Sequence, residues 1–527
     1  MLTDARTLDH DAVLTADVAI VGAGPAGITL ALELAGSGLE ILVLEAGAVS
    51  PAATDRWAAR GENADPSYYR LGRTRVVGFG GSSNHWMPPA GMRARPLDEL
   101  DFSERPEVDR PGWPLALTDL EGPYRRAQQL CRLGPFDYDL PSVEKARGPR
   151  LPLEAHGLET VMFRTAQLGN FPGRLGEVVS ADGVHLLVHA TVVGLIPDPR
   201  RDRIMRLEVA TDDRRRLAIA PGTVILACGG IENARMLLAH RRQHGGWLPD
   251  VGDQMGRGLM EHPHVRTGAV IPNETDALER MGLYELPATA GESSFGMVKL
   301  HDATLRSEEL LACAWAMSPV PATTVSPSGR ALTALRETVL DFRRPVPDTG
   351  RRLRAVAARP TETARTLAHR RHTHDRPRVL GLSAMSEQAP DPNSRVLLSP
   401  RRDRLGRTRA RVDWRLGELD LRSIRRSQRL LGDAMEAAGI GRLVQPLGQE
   451  EPPALIGGGF HHMGTTRMSV EPTDGVVDPT CRVHGVDNCY VAGMSLFPTA
   501  GYANPTLTVV ALAVRLADHL RQRLAPG

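Results

Sequence analysis

The stretch Val18-Ala19-Ile20-Val21-Gly22-Ala23-Gly24-Pro25-Ala26-Gly27, joined through a helical segment to Ile41-Leu42-Val43-Leu44-Glu45, decides the fold. The apolar run from Ala16 to Val21 predicts a buried strand, Pro25 to Ala35 a helix, and Ile41 to Leu44 a second strand. Gly22 permits the tight turn out of the first strand. Gly24 lets the backbone approach a pyrophosphate, and Gly27 lets the helix pack close to the strand. The free N–H groups and dipole at the helix start favour phosphate. Glu45 lies 18 residues past Gly27, where a carboxylate accepts a hydrogen bond from a ribose hydroxyl and repels a 2′-phosphate. All these parts fall in register as a dinucleotide-binding βαβ unit. The motif by itself does not separate FAD from NAD.

Outward from this unit, Leu71 to Arg93 is rich in Gly and Arg and contains Gly78-Phe79-Gly80-Gly81-Ser82-Ser83-Asn84-His85-Trp86, which predicts an ordered loop rather than a regular helix. Residues 113–134 read as a helix entered after Pro114 with Thr118 as its cap. Val184 to Val193 alternates as one strand. Arg203 to Ala220 reads as an antiparallel hairpin turning at Asp212-Asp213. Thr223-Val224-Ile225-Leu226-Ala227-Cys228-Gly229-Gly230 is a second buried strand ending in glycines, with a helix from Glu232 to His240 behind it. This repeat of strand, glycines and helix predicts a nucleotide domain assembled from distant segments. Between about 271 and 450, Pro-rich loops alternate with strand-like runs (Arg395 to Ser399, Arg409 to Trp414) and a helix from Asp420 to Ala438.

Length and composition set bounds. At 527 residues the chain exceeds one simple core, so two or three domains are expected. With 24% charged and 42% hydrophobic residues and a net charge of +2, it has no global field that would draw nucleic acid or anionic lipid. Its only lysines are Lys145 and Lys299, and this arginine bias weakens any argument from arginine clusters. Residues 343–378 are dense in arginine. They read as a solvated helix or insertion, with a lid or an acidic-partner or membrane docking surface as the sharper alternative. The five cysteines are odd in number and scattered without a CxxC, so neither a disulfide framework nor a metal site is expected. Met1 to Thr15 lacks the apolar core of a signal peptide, and no apolar run is long enough for a transmembrane segment. A cytoplasmic enzyme is expected.

The chemistry gathers near the C-terminus. Gly457-Gly458-Gly459-Phe460-His461-His462-Met463-Gly464-Thr465-Thr466-Arg467-Met468 sets two histidines among glycines. Gly493 follows a short apolar run, and Ala503-Asn504-Pro505-Thr506-Leu507-Thr508 opens a helix that runs to about Leu524. Proline suits a first helical turn, so Asn504 falls at the mouth of a helix whose positive end faces a site.

In this pattern the chain resembles the glucose-methanol-choline (GMC) oxidoreductases, FAD-dependent alcohol oxidases and dehydrogenases. Four landmarks match in order: the GxGxxG with Glu45, the Gly80 to Ser83 loop, the segment at His461, and the NPxxT segment at Asn504. The resemblance implies a two-domain α/β fold. A Rossmann-like FAD domain would take residues 1–270, with interdomain loops near 71–150. Residues 271–450 would form a substrate domain with an antiparallel sheet and helices, and 451–527 would return to the FAD domain. It implies FAD bound by Gly22, Gly24, Gly27, Glu45, Gly81, Ser82, Ser83, Asn84, His85 and Ala227, by the backbone of Val192 at the adenine end, and by Gly493, Pro505 and Thr506 near the flavin. His461 would be the base and Asn504 its partner, in a position that some members fill with histidine. A neutral imidazole takes a hydroxyl proton, and an amide donor steadies the developing alkoxide.

The implied reaction oxidises a primary or secondary alcohol of a polyol, sugar or hydroxylated natural product, with O2 or another electron acceptor as the second partner. A non-redox enzyme of the same fold, a lyase or photodecarboxylase, is the alternative. A flavin hydroxylase or amine oxidase would share only the N-terminal motif. Ser83-Asn84-His85-Trp86 is similar to the pyranose-oxidase loop whose histidine is linked to the flavin. His85 is therefore read two ways, as a covalent attachment point or as a packing residue. Met87-Pro88-Pro89 replaces the threonine of that loop, so pyranose specificity is not implied. His462 is expected to be structural and Cys228 a small core residue. His262 and His264, in Glu261-His262-Pro263-His264, are not expected to bind metal.

Overall fold

The computed structural model describes residues 1–50, 57–65, 68, 70–86, 91–166, 171–274, 281–285, 293–321, 378–444, 447–448 and 456–525, with isolated residues between 331 and 364. The arginine-dense segment 343–378 and Met87-Pro88-Pro89 lie almost wholly outside them.

The first sheet is built around the predicted unit. Its strands run in the order Leu2–Asp4, Val184–Val188, Ile41–Leu44, Ala12–Val21, Arg216–Leu226, Ile204–Ala210 and Thr191–Pro197. The first five are parallel, and Cys489–Val491 adds in parallel beside Val224 to Leu226. The last two are antiparallel. Strands buried on both faces need unbroken apolar runs, which Val18 to Val21 and Val224 to Leu226 supply. The helices Pro25–Leu34 and Thr506–Leu524 pack against each other beside this sheet, so residues from both ends of the chain share one core.

A second sheet is antiparallel throughout, in the order Gly441–Val444, His264–Pro272, Arg378–Ser386, Cys313–Pro321, Ser293–Leu300, Leu158–Ala166 and Met92–Ala94. Helix Glu418–Ala437 lays Ile424, Leu431 and Met435 into its core, and the Trp315 indole donates to Ser427 Oγ at 2.9 Å. Two of these strands, Met92–Ala94 and Leu158–Ala166, precede residue 270, so the N-terminal part of the chain feeds both sheets. Arg395–Arg402, Thr408–Asp413 and Glu62–Asn63 form a third, small sheet.

Several local expectations are corrected. Val184 to Val193 is two strands, broken where His189 turns left-handed (φ 55°) and the N–H groups of His189 and Ala190 bond to the carbonyls of Gly47 and Glu45. Thr118 does not cap a helix. It lies inside a 3-10 turn, Leu117–Leu120, and the α-helix is Glu121–Leu130. The glycine-rich segment contains two short helical pieces, Leu71–Thr74 and Gly81–His85.

Gly27 shows how tightly the glycine turn is built. A Cβ there would collide with the Gly22 carbonyl oxygen, beneath the turn. Gly27→Ala is expected to cost about 1–3 kcal/mol of stability, as overpacking does. A urea titration of the wild type and the variant measures this directly.

Candidate active site

One large cavity opens along the carboxyl ends of the parallel strands, where ligands of such sheets bind. Of the residues singled out from the sequence, Gly22, Gly24, Glu45, Gly81, Ser82, Ser83, His85, Val192, Ala227, His461, Gly493 and Thr506 line it. Gly27, Asn84, Asn504 and Pro505 do not. Gly27 lies under the turn. Asn84 Nδ2 donates to the carbonyls of Phe79 (3.0 Å) and Gly81 (2.8 Å), so it holds the loop in shape. Pro505 is buried as the N-cap of Thr506–Leu524. Asn504 is half-buried beside it, and its Oδ1 is buried with no hydrogen-bond partner among the described residues.

Glu45 is buried and its carboxylate accepts from three backbone N–H groups: Ala23 to Oε2 (3.0 Å), and Gly47 and Gly78 to Oε1 (2.9 Å each). Burial raises its pKa, against the lowering effect of those donors. Each carboxylate oxygen accepts about two hydrogen bonds, so Oε2 retains room for a ribose hydroxyl. Gly80 N–H donates to the Ala23 carbonyl (2.8 Å), docking the Gly81–His85 turn onto the glycine turn. His85 leans on Phe460, ring centroids 5.6 Å apart.

Arg75, Glu232 and Arg407, which sequence reasoning did not select, also line the cavity. Glu232 receives Arg235 at 2.8 Å, Arg75 at 3.1 Å and Arg407 at 3.4 Å. These guanidiniums overcome its burial and hold its carboxyl below the usual range. Cys228 is half-buried on the cavity wall rather than in the core, with Sγ donating to the Val21 carbonyl at 3.1 Å. Burial raises its pKa, so the thiol is not a nucleophile at neutral pH.

His461 and His462 stand on the same wall. His461 lines the cavity, and its pKa is pushed well below that of free imidazole by burial and by His262, His264 and His462 around it. It is therefore a neutral base at neutral pH. Its backbone N–H donates to Glu261 Oε2 at 2.9 Å, as does that of Gly459 at 3.2 Å. Tyr68 OH donates to Glu261 Oε1 at 3.0 Å, and His462 Nε2 lies 3.5 Å from the same oxygen. The ring of His262 meets that of His461, Nδ1 to Nδ1, at 2.9 Å. Glu261 and His262 were visible in the sequence only as a doubtful metal motif, because their partners lie about 200 residues away.

The family model described as GMC oxidoreductase matches residues 390–513. A model described as lycopene cyclase protein matches residues 17–73, which hold the nucleotide-binding unit. The fructose dehydrogenase large subunit of Gluconobacter japonicus is 26% identical over 353 residues, 66% of this chain and 55% of that subunit. The C-glycoside 3-oxidase of Arthrobacter globiformis is 37% identical over 124 residues, 23% of each chain. The matches thus span about half or less of these relatives' own lengths. The crystal structure of pyridoxine 4-oxidase from Mesorbium loti superposes with a TM-score of 0.53 at 16% identity, covering 96% of this chain and 99% of that one.

The GMC oxidoreductase model covers the C-terminal quarter of the chain, the solved pyridoxine 4-oxidase shares its fold, and the cofactor that this likeness implies is FAD. The cavity fits that group. A Cβ at Gly24 or Gly229 would meet nothing within 4 Å, so the glycines leave an open cradle at the starts of two helices. Glu45 adds a hydrogen-bond acceptor for a ribose.

Burial raises the pKa of Glu261 to about 7, above its unfolded value of 4.5. A raised carboxyl stabilises the fold fully below the unfolded pKa and loses that contribution as pH rises through the folded one. Glu261→Gln mimics the neutral carboxyl. Its melting temperature minus that of the wild type should therefore increase from pH 5 to pH 7.5, which thermal melts across that range would read.

Proposed function

We propose that this protein is an FAD-dependent enzyme that oxidises a primary or secondary alcohol to an aldehyde or ketone. The substrate class is a sugar, polyol or hydroxylated natural product, and O2 or another acceptor takes the electrons. The observation that carries this reading is His461, a neutral imidazole on the wall of the same cavity that Gly493 and Thr506 line. FAD, when bound, supplies the hydride acceptor.

The chain's own residues do the rest. His461 takes the hydroxyl proton, which its depressed pKa leaves it free to do at neutral pH. Asn504 adjoins the start of Thr506–Leu524 without lining the cavity, so its amide would steady the oxygen that loses that proton only after its side chain turns toward Thr506. The open N–H groups at that helix start favour negative charge in the cavity beside Thr506. Relatives that act on fructose and on C-glycosides support a sugar hydroxyl as substrate.

Replacing His461 with Ala should leave FAD bound and slow anaerobic flavin reduction by a reactive alcohol at least about a hundredfold. Unchanged reduction, followed by stopped-flow absorbance, would remove His461 as the base.

We take His85, on the cavity wall with its ring against Phe460, as a packing neighbour of the cofactor rather than its attachment point. Acid precipitation should therefore leave the yellow colour in the supernatant. A yellow pellet, lost on His85→Ala, would establish a covalent link.

A further inference from the structure

We infer that His262 is a positioning residue that fixes the tautomer of His461, placing its ring proton on Nδ1 and leaving Nε2 as the nitrogen that accepts the substrate proton. This rests on the reading of His461 as the base.

The chain of donors and acceptors runs one way. His262 is fully buried, with Nε2 3.2 Å from the Ala500 carbonyl oxygen and Nδ1 2.9 Å from His461 Nδ1. A carbonyl only accepts, so Nε2 of His262 carries a hydrogen. Burial lowers the pKa of His262 to about 4, so the ring is neutral and Nδ1 holds a lone pair. The 2.9 Å contact then requires a hydrogen on Nδ1 of His461. His461 is itself neutral, and its single ring hydrogen is thereby used.

The two ends of this chain are anchored. Thr499 Oγ1 donates to the Asp101 carbonyl at 3.1 Å and accepts from Trp113 Nε1 at 2.7 Å, while Tyr502 OH donates to Asp98 at 2.6 Å. These bonds flank Ala500 and hold its carbonyl. Glu261, next to His262, grips the backbone N–H of His461. Consecutive residues of one segment therefore hold both the backbone and the ring of the base. A free neutral imidazole prefers its hydrogen on Nε2, which would put a donor where a base is needed.

The test is nitrogen-15 NMR of the FAD-loaded protein with labelled histidine, the His461 signals being assigned by their loss in His461→Gln. The wild type should show a protonated Nδ1 and an unprotonated Nε2. His262→Leu removes the acceptor and should move the hydrogen to Nε2. His262→Asn, whose Oδ1 occupies the acceptor position, should keep it on Nδ1. Flavin reduction by an alcohol active on the wild type should fall at least about tenfold in His262→Leu and recover in part in His262→Asn, with the alcohol's apparent Kd within about twofold. A hydrogen on Nε2 of His461 in the wild type, or one that stays on Nδ1 in His262→Leu, would overturn the inference. The spectra need no substrate, so they decide the tautomer even if His461 proves not to be the base.

Discussion

The Glu45 carboxylate is the tie on which the cofactor cavity depends. Three separate pieces of backbone, at Ala23, Gly47 and Gly78, donate to its two oxygens inside the protein. Three hydrogen bonds to one buried charge offset much of its desolvation, and charge-assisted bonds are the stronger kind. The turn after the first strand, the exit of the second strand and the loop entering Gly81–His85 are thereby held against one another. Without this carboxylate, three buried N–H groups would each need another partner.

The histidine part of the cavity wall uses burial rather than charge pairing. Four histidines cluster there, and desolvation keeps His262, His461 and His462 neutral. Protonating any of them would place a cation among its neighbours. Glu261 sits among them with its own acidity weakened, accepting from Tyr68, Gly459 and His461. The result is a polar region with little fixed charge, where a single proton can reside on one defined nitrogen.

Much of this was legible from residues 18–45, because strand, turn and helix there are local and each glycine answers one steric demand. The landmarks at Gly81, His461 and Gly493 likewise carried through to the cavity wall. What was not legible mostly depends on partners far away in sequence. His189 breaks its strand because backbone donors are drawn to Gly47 and Glu45, about 140 residues away, and no local periodicity records that. The hold of Asn84 Nδ2 on the Phe79 and Gly81 carbonyls is local, but side-chain direction within a glycine-rich loop has no periodicity to announce it. The Arg75–Glu232–Arg407 cluster joins three distant segments, and the abundance of arginine hid it. His262 was noticed for its spacing to His264, whereas its partner is His461.

The strand Arg216–Leu226 pairs in parallel with Ala12–Val21, about 200 residues earlier, and on its other edge with the nearby antiparallel Ile204–Ala210 and, in parallel, with the short Cys489–Val491, about 265 residues later. During synthesis from the N-terminus, the edge at Val224 to Leu226 stays open until residue 491 emerges from the ribosome. Pairings so distant in sequence form slowly, and exposed strand edges invite association with other chains. The sheet is thus finished by one of the last segments the ribosome delivers, shortly before the helix Thr506–Leu524 that packs beside it.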